Sequence, residues 1–246
     1  MRQFTPYLFL LLAASFLYSC KSAKLSDAEE KQRIGEYFEA AAIYRKVYTK
    51  TPPAKRDLRG YIAFRMAECN RLINNTPRAT SAYMNALRYK YPDSIVNLRL
   101  GQMYQKSGRY GEAVKYYNDY LLAEPGSVLA FNGVTGCEEA VKWKQSPTRY
   151  TVKRMDKFNS RRSEFSPMLY GEKYDQLYFA STRTPKGAGK DKEETNSAIT
   201  GQRNNDLFLV KQDENGAWLA PVELEDDVNT EFDEGTPSFS KDGNTM

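Results

Sequence analysis

SIVNLRLGQMYQKSGRYGEAVKYYNDYLLAEPGS, residues Ser94 to Ser127, holds the pattern that organises the first half of the chain. Leu100-Gly101, Tyr104, Gly108, Tyr110, Ala113, Tyr117, Tyr120 and Pro125 fall at the spacings of a helix–turn–helix unit with a period of about 34 residues. The small residues Gly101 and Ala113 let two antiparallel helices approach closely, while Tyr104 and Tyr117 fill the gaps beside them. Gly108 stands where the chain must turn, and Pro125 stops the second helix. One such unit cannot bury its apolar face alone, so neighbours are expected.

A shift of one period toward the N-terminus lands on Ala67, Ala79, Tyr83 and Ala86, followed by Tyr91-Pro92, with Asn70 in the place of Tyr104. Gly35, Tyr37, Ala40, Tyr44, Val47 and Pro52 repeat the second half once more, with about five extra residues near Pro52-Pro53. A shift toward the C-terminus gives Phe131, Val134 and Thr135, and the match fades at Glu138. Three units and a closing helix that ends before Ser146-Pro147 are predicted. The unit resembles the tetratricopeptide repeat, and residues 25–146 resemble a tetratricopeptide α-solenoid, a fold that binds proteins rather than catalyses. By repeat position its inner face would present Tyr61, Phe64, Arg71, Leu98, Gln102, Gln105, Lys106 and Asn132 to a partner. The lysine–asparagine clamp by which some such domains hold a peptide carboxylate is missing, since Phe64, Leu98 and Asn132 occupy its lysine position. A protein surface is therefore expected, not a free C-terminus.

Ahead of the repeats, residues 1–19 have the layout of a secretory signal, with Arg2 followed by an apolar run from Tyr7 to Tyr18. That run is too short for a spanning helix, which needs about 20 apolar residues. It ends in Leu17-Tyr18-Ser19-Cys20, which resembles the lipobox of bacterial lipoproteins. The resemblance implies lipidation of Cys20, residues 20–24 serving as lipidated N-terminus and linker. Each buried methylene of an acyl chain contributes about 0.8 kcal/mol, so two chains anchor firmly. Cys69 and Cys137 stand two periods apart, with Met103 between them at the same position. A buried seam of core thiols is expected, too far apart for a disulfide because packed helices lie about 8–10 Å apart.

Charge divides along the chain. Residues 21–150 carry 22 Lys/Arg against 13 Asp/Glu, and residues 151–246 carry 13 against 18. A basic helical half is expected to present a solvated face or to attract an acidic partner or lipid headgroups. Nothing resembles a nucleic-acid recognition motif. The sequence has no histidine, which excludes a Ser/His/Asp triad, and no CxxC pair. Neither cofactor nor metal is expected. The acidic pairs Asp226-Asp227 and Asp233-Glu234 read as solvated turns, and the chain reads as non-enzymatic.

From Tyr150 the period changes. Gln176–Thr182, Asp206–Val210 and Trp218–Leu224 read as strands, Asn215-Gly216 as a hairpin turn, and 184–203 as a long exposed loop. Glu164-Phe165-Ser166-Pro167-Met168-Leu169 recurs further on as Glu234-Gly235-Thr236-Pro237-Ser238-Phe239, followed by a turn at Ser240-Lys241-Asp242-Gly243 with a strand due at Met246. FSPMLYGEKYDQLYFASTR, NNDLFLVKQDENGAW and EGTPSFSKDGNTM resemble the Pro-Asp variant of the WD-type β-propeller, where the proline and aspartate turn the chain at a blade's edge. Residues 150–246 would then be the first blade of an incomplete propeller, because closure needs four or more blades. Such a part is expected to leave apolar strand faces unburied.

The predicted fold class is thus multidomain, α then β: a tetratricopeptide α-solenoid followed by the start of a β-propeller, truncated at Met246. The order lipobox, repeats, propeller resembles the OmpA-family lipoproteins of Bacteroidota, among them the peptidoglycan-binding component of the type IX secretion apparatus. The resemblance implies a scaffold on the periplasmic face of the outer membrane, held by its lipid anchor and bound to envelope proteins. Peptidoglycan would be reached only through a later domain that these residues do not include. Two other classes remain at this stage, a glycan-capture lipoprotein and the front part of an exported propeller-containing enzyme.

Overall fold

The computed structural model describes residues 23–184, 196–225 and 227–246. The signal segment and Cys20 lie outside the described residues, as do residues 185–195 of the expected loop and Asp226. The chain forms two compact units, one ending at Trp143 and the other starting at Lys144.

Among the described residues seven helices come first: α1 Leu25–Arg33, α2 Tyr37–Lys50, α3 Arg56–Leu72, α4 Thr76–Arg88, α5 Ile95–Lys106, α6 Tyr110–Ala123 and α7 Val128–Gln145. They are three helical pairs and a closing helix, the arrangement predicted from the period. Gly35 and Gly108 turn the chain between the members of a pair in the left-handed region, at φ +87° and +71°. Asn74 takes the equivalent place in the middle pair at φ 63°, since a short polar side chain tolerates that conformation best after glycine. Asn75 then caps α4 by accepting from the Arg78 backbone N–H at 3.3 Å. The extra residues expected near Pro52-Pro53 are absorbed into a longer helix: α3 has 17 residues where α5 has 12.

The core follows the small-residue seam. Ala67, Ala79, Ala86, Leu100 and Ala113 are fully buried, and Tyr44, Tyr83 and Tyr117 cross between the helices of their pairs. A Cβ placed on Gly101 would stand 2.6 Å from the Tyr117 ring, and one on Gly133 would stand 2.5 Å from it. The ring is thus clasped between α5 and α7, and both glycines are required by its thickness. In α7 the buried residues are Ala130, Gly133 and Cys137. The shift by one period had singled out Phe131, Val134 and Thr135, of which Val134 alone packs on the core while Phe131 is 64% exposed. A closing helix buries only the side that meets the preceding pair, so its register is read from that side. Cys69 and Cys137 are both buried and unbridged, with Met103 also in the core; burial pushes the Cys69 thiol up to about 12.

The second unit is a four-stranded antiparallel sheet in the order β1 Glu164–Tyr170, β2 Gln176–Ser181, β3 Asp206–Lys211 and β4 Val222–Glu223. Strand β1 is an addition to the sequence reading, and it corrects the expectation for Pro167. That residue lies within an edge strand, at a bulge between Phe165 and Met168 where Ser166 adopts φ 53°. A proline that donates no hydrogen bond is tolerated there. The turn is made further on, at Gly171 and Tyr174, both with positive φ. The strand expected over Trp218–Leu224 shrinks to two residues plus a bridge from Gln212 to Trp218, because Pro221 interrupts the ladder. The hairpin turn stands as predicted, with Gly216 at φ +76°.

Phe158, Leu177, Phe179, Phe208 and Val210 form the small core of this sheet, with Trp218 set edge-on to Phe158 at 5.4 Å. Asn229 is buried and closes the strand end, accepting from the Leu207 N–H at 2.7 Å and donating to the Leu207 and Leu224 carbonyls. The two copies of the Ser/Thr-Pro echo meet. Ser166 and Thr236 share a hydroxyl–hydroxyl hydrogen bond of 3.1 Å, and Phe239 stacks on Tyr170 at 4.1 Å.

Candidate protein-binding surface

The residues expected on the inner face come from the first helices of the pairs, and most of them hold one another. On α3 the Tyr61 hydroxyl donates to Glu29 of α1 at 2.8 Å. Burial and that carboxylate push the phenol up to about 12. Phe64 stacks on Tyr91 with centroids 4.4 Å apart and planes 10° from parallel. Arg71 grips Glu68 at 2.6 Å, Gln102 accepts from Arg99 at 3.1 Å, and Gln105 accepts from the Tyr117 hydroxyl at 2.6 Å. Lys106 donates to Asn74. Leu98 is 4% exposed and belongs to the core, so its side chain is not presented to a partner. Asn132 is exposed on α7.

At the centre of this face sits a residue the sequence reading passed over. The Glu68 carboxylate receives Arg71, Arg99 at 3.2 Å and the Tyr83 hydroxyl, with its side chain only 14% exposed. Burial pushes its pKa up, but hydrogen bonds from Arg71 and Tyr83 and the field of Arg71 and Arg99 outweigh it and hold the carboxyl below the ordinary range. The signal was available: Arg65 and Arg99 stand one repeat apart, as do Glu68 and Gln102, and Arg71 and Gln105. Polar residues recurring with the period on partly buried helix positions mark a ladder across repeats. Such a face offers aromatic edges and amides between paired charges. It suits a protein surface, and its groups are too well paired for general acid–base work.

In the second unit the acidic pair Asp233-Glu234 has structural duties. Asp233 accepts from the Asn205 backbone and side chain at 2.8 Å, and Glu234 accepts from Thr230. Arg183 lies over the Phe179 and Phe208 rings and pairs with Glu164 at 3.0 Å. Among the described residues no group of three or more His, Cys, Asp or Glu is placed to hold a metal ion. No described helix is long and apolar enough to cross a membrane.

Residues 96–127 match the tetratricopeptide repeat family model. The pair α5–α6 is therefore similar to a tetratricopeptide repeat, in general a protein-interaction module. No curated protein matches the chain. Among solved structures, the chain is similar to the MamA protein at 18% identity and a TM-score of 0.41, covering 49% of this chain and 67% of that one. It is similar also to the C-terminal repeat-containing domain of an FK506-binding protein from Plasmodium falciparum, at 16% identity, TM-score 0.44, and coverage of 52% and 93%. The repeat domain of Sgt2 from Aspergillus fumigatus gives 16%, 0.42, 58% and 93% in the same order.

Proposed function

We propose that this chain is a non-enzymatic scaffold that binds protein partners through its repeats and is held at the outer membrane by lipid on Cys20. The observation that carries the first part is the seven-helix array with its repeat match at residues 96–127. The anchor rests on the lipobox-like Leu17-Tyr18-Ser19-Cys20 alone. In this reading the partner belongs to the cell envelope, in an assembly of the type IX secretion kind, and no peptidoglycan-binding group is assigned to these residues. Cys20→Ala is expected to leave an uncleaved or soluble precursor in cells, and to abolish the membrane-fraction adducts that a photo-crosslinker at exposed Asn132 forms with envelope proteins. A Cys20→Ala chain processed and retained in the membrane like the native one overturns the anchor. Absence of any adduct from the native chain counts against the scaffold.

We read the four-stranded meander as one propeller blade. Its support is the strand order and the internal echo, whose second copy packs beside the first through Ser166, Thr236, Tyr170 and Phe239. Electron microscopy of the intact protein should then show blades set radially round an axis. An isolated sheet would rule the reading out.

A further inference from the structure

The second helices of the pairs carry a groove on the side away from the polar ladder. It runs between α2 and α4 over a floor from α3, has a volume of about 740 Å³, and is lined by Met66, Asn70 and Ile73 below. Its origin lies in two departures from the repeat. In the third pair Tyr104 and Tyr116 stack at 5.3 Å with planes 3° apart, and the Tyr116 hydroxyl reaches Met84 of α4 at 3.3 Å. Those rings fill the space between α4 and α6. One repeat earlier the same two positions hold Asn70 and Ala82, and both line the open groove. Arg45 stands on α2 where Met84 stands on α4, counted from the equivalent tyrosines Tyr44 and Tyr83.

Charge follows the same break. The groove walls carry Arg45, Lys46, Lys50 and Arg78, and no Asp or Glu. None of these four cations has a carboxylate partner among the described residues. In the third pair the position of Arg78 holds Glu112, which is tied to Arg109 at 2.5 Å. So where the aromatic pair fills the groove a carboxylate stands in the place of Arg78, and where the groove is empty its walls are basic.

We propose that this groove takes an acidic segment of a protein partner, which inserts an aromatic side chain over Ala82 and Asn70 in the place that Tyr116 fills one repeat later. The apolar floor supplies contact area for the ring. Carboxylates on either side of it meet Arg45, Lys46, Lys50 and Arg78, giving attraction that salt weakens. The inference rests on the reading that the repeats bind protein, and it assigns the partner's chemistry and a second face of the array.

The test is fluorescence anisotropy of the full chain with a labelled synthetic peptide of Asp and Glu residues around one central tyrosine. Binding is expected at low ionic strength and should weaken as salt is raised. Arg45→Glu with Arg78→Glu, both at exposed positions, should reduce affinity at least tenfold while leaving the circular dichroism melt unchanged. Ala82→Tyr, which closes the groove from within, should reduce it as much. Replacing the peptide's tyrosine by alanine should also cost at least tenfold, a readout that does not depend on any variant folding. No binding, binding indifferent to the charge reversal, or equal binding of the tyrosine-free peptide each overturns the proposal. So does retention on vesicles of anionic phospholipid that the charge reversal abolishes while the peptide fails to bind, which would make the patch a membrane contact. Envelope adducts that persist in a chain unable to bind the peptide leave the scaffold standing and remove only this groove.

Discussion

Ala113→Arg is expected to unfold the helical unit at room temperature. Ala113 is fully buried on α6, in the core cluster that contains Gly101's neighbours Leu100 and Tyr117. An arginine there must either push the helices apart or leave its guanidinium without solvent. Overpacking costs about 1–3 kcal/mol and an unpaired buried charge about 3–5 kcal/mol more, against a total stability of about 5–15 kcal/mol for a domain. In a repeat array each unit is stabilised by its neighbours, so losing the third pair also removes the support of α7 and of the second pair. Circular dichroism melts check it. The matched control is Asn118→Arg, which adds the same side chain at an exposed position on the same helix and should melt within a few degrees of the native chain. Gln105→Arg, which repeat position alone would offer as a neutral control, is unsuitable, because Gln105 holds the Tyr117 hydroxyl at 2.6 Å. Equal melts for Ala113→Arg and Asn118→Arg would mean that the helix register is wrong.

Glu68→Gln should cost about 2–3 kcal/mol at neutral pH. Breaking a buried ion pair costs about 3–5 kcal/mol; the 14% exposure of the Glu68 side chain and the retained volume of glutamine reduce that. Arg71, Arg99 and Tyr83 would all lose the carboxylate they share. The pH dependence has a definite sign. Because the folded protein holds this carboxyl below its ordinary value of 4.5, its contribution is fully present above that value and is lost as pH falls through the lower, folded one. Urea unfolding of native and variant chains should therefore differ at pH 7, and the difference should shrink steadily below about pH 4.5 as the unfolded chain takes up the proton first. A difference that is constant from neutral to acid pH would show that the carboxylate charge plays no part. Together the two variants separate the seam that packs the helices from the ladder that ties neighbouring pairs.

The helical unit was legible because its determinants are local and periodic. Gly101, Ala113, Tyr117 and Pro125 act within their own helical pair or on the helix next to it, and the same demands return with every repeat. Helix number, pairing and the buried thiols followed from that period alone. The strands were legible where aromatic and aliphatic residues alternate, as in Leu177-Tyr178-Phe179 and Leu207-Phe208-Leu209. Strand β1 escaped because Ser166 and Pro167 look like a turn, and only a partner strand with a bulge opposite it makes them part of a sheet. Pro221 acted the other way, cutting short a strand whose composition was favourable.

Repeat position located the inner face but not what its residues do. It placed Leu98 beside Gln102 as though both met a partner, whereas packing against the second helices puts Leu98 in the core. It passed over Glu68, whose three partners come from positions 71, 83 and 99 and converge only when α3, α4 and α5 are packed. The groove shows the division most plainly. The sequence alone determined that Asn70 replaces Tyr104's equivalent and that Ala82 replaces Tyr116's, since identity at a repeat position is a one-dimensional fact. That these two absences, on α3 and α4, open onto one basic trough beside α2 was decided by the tertiary structure. A missing ring becomes a cavity only where the helices around it are held apart by other contacts.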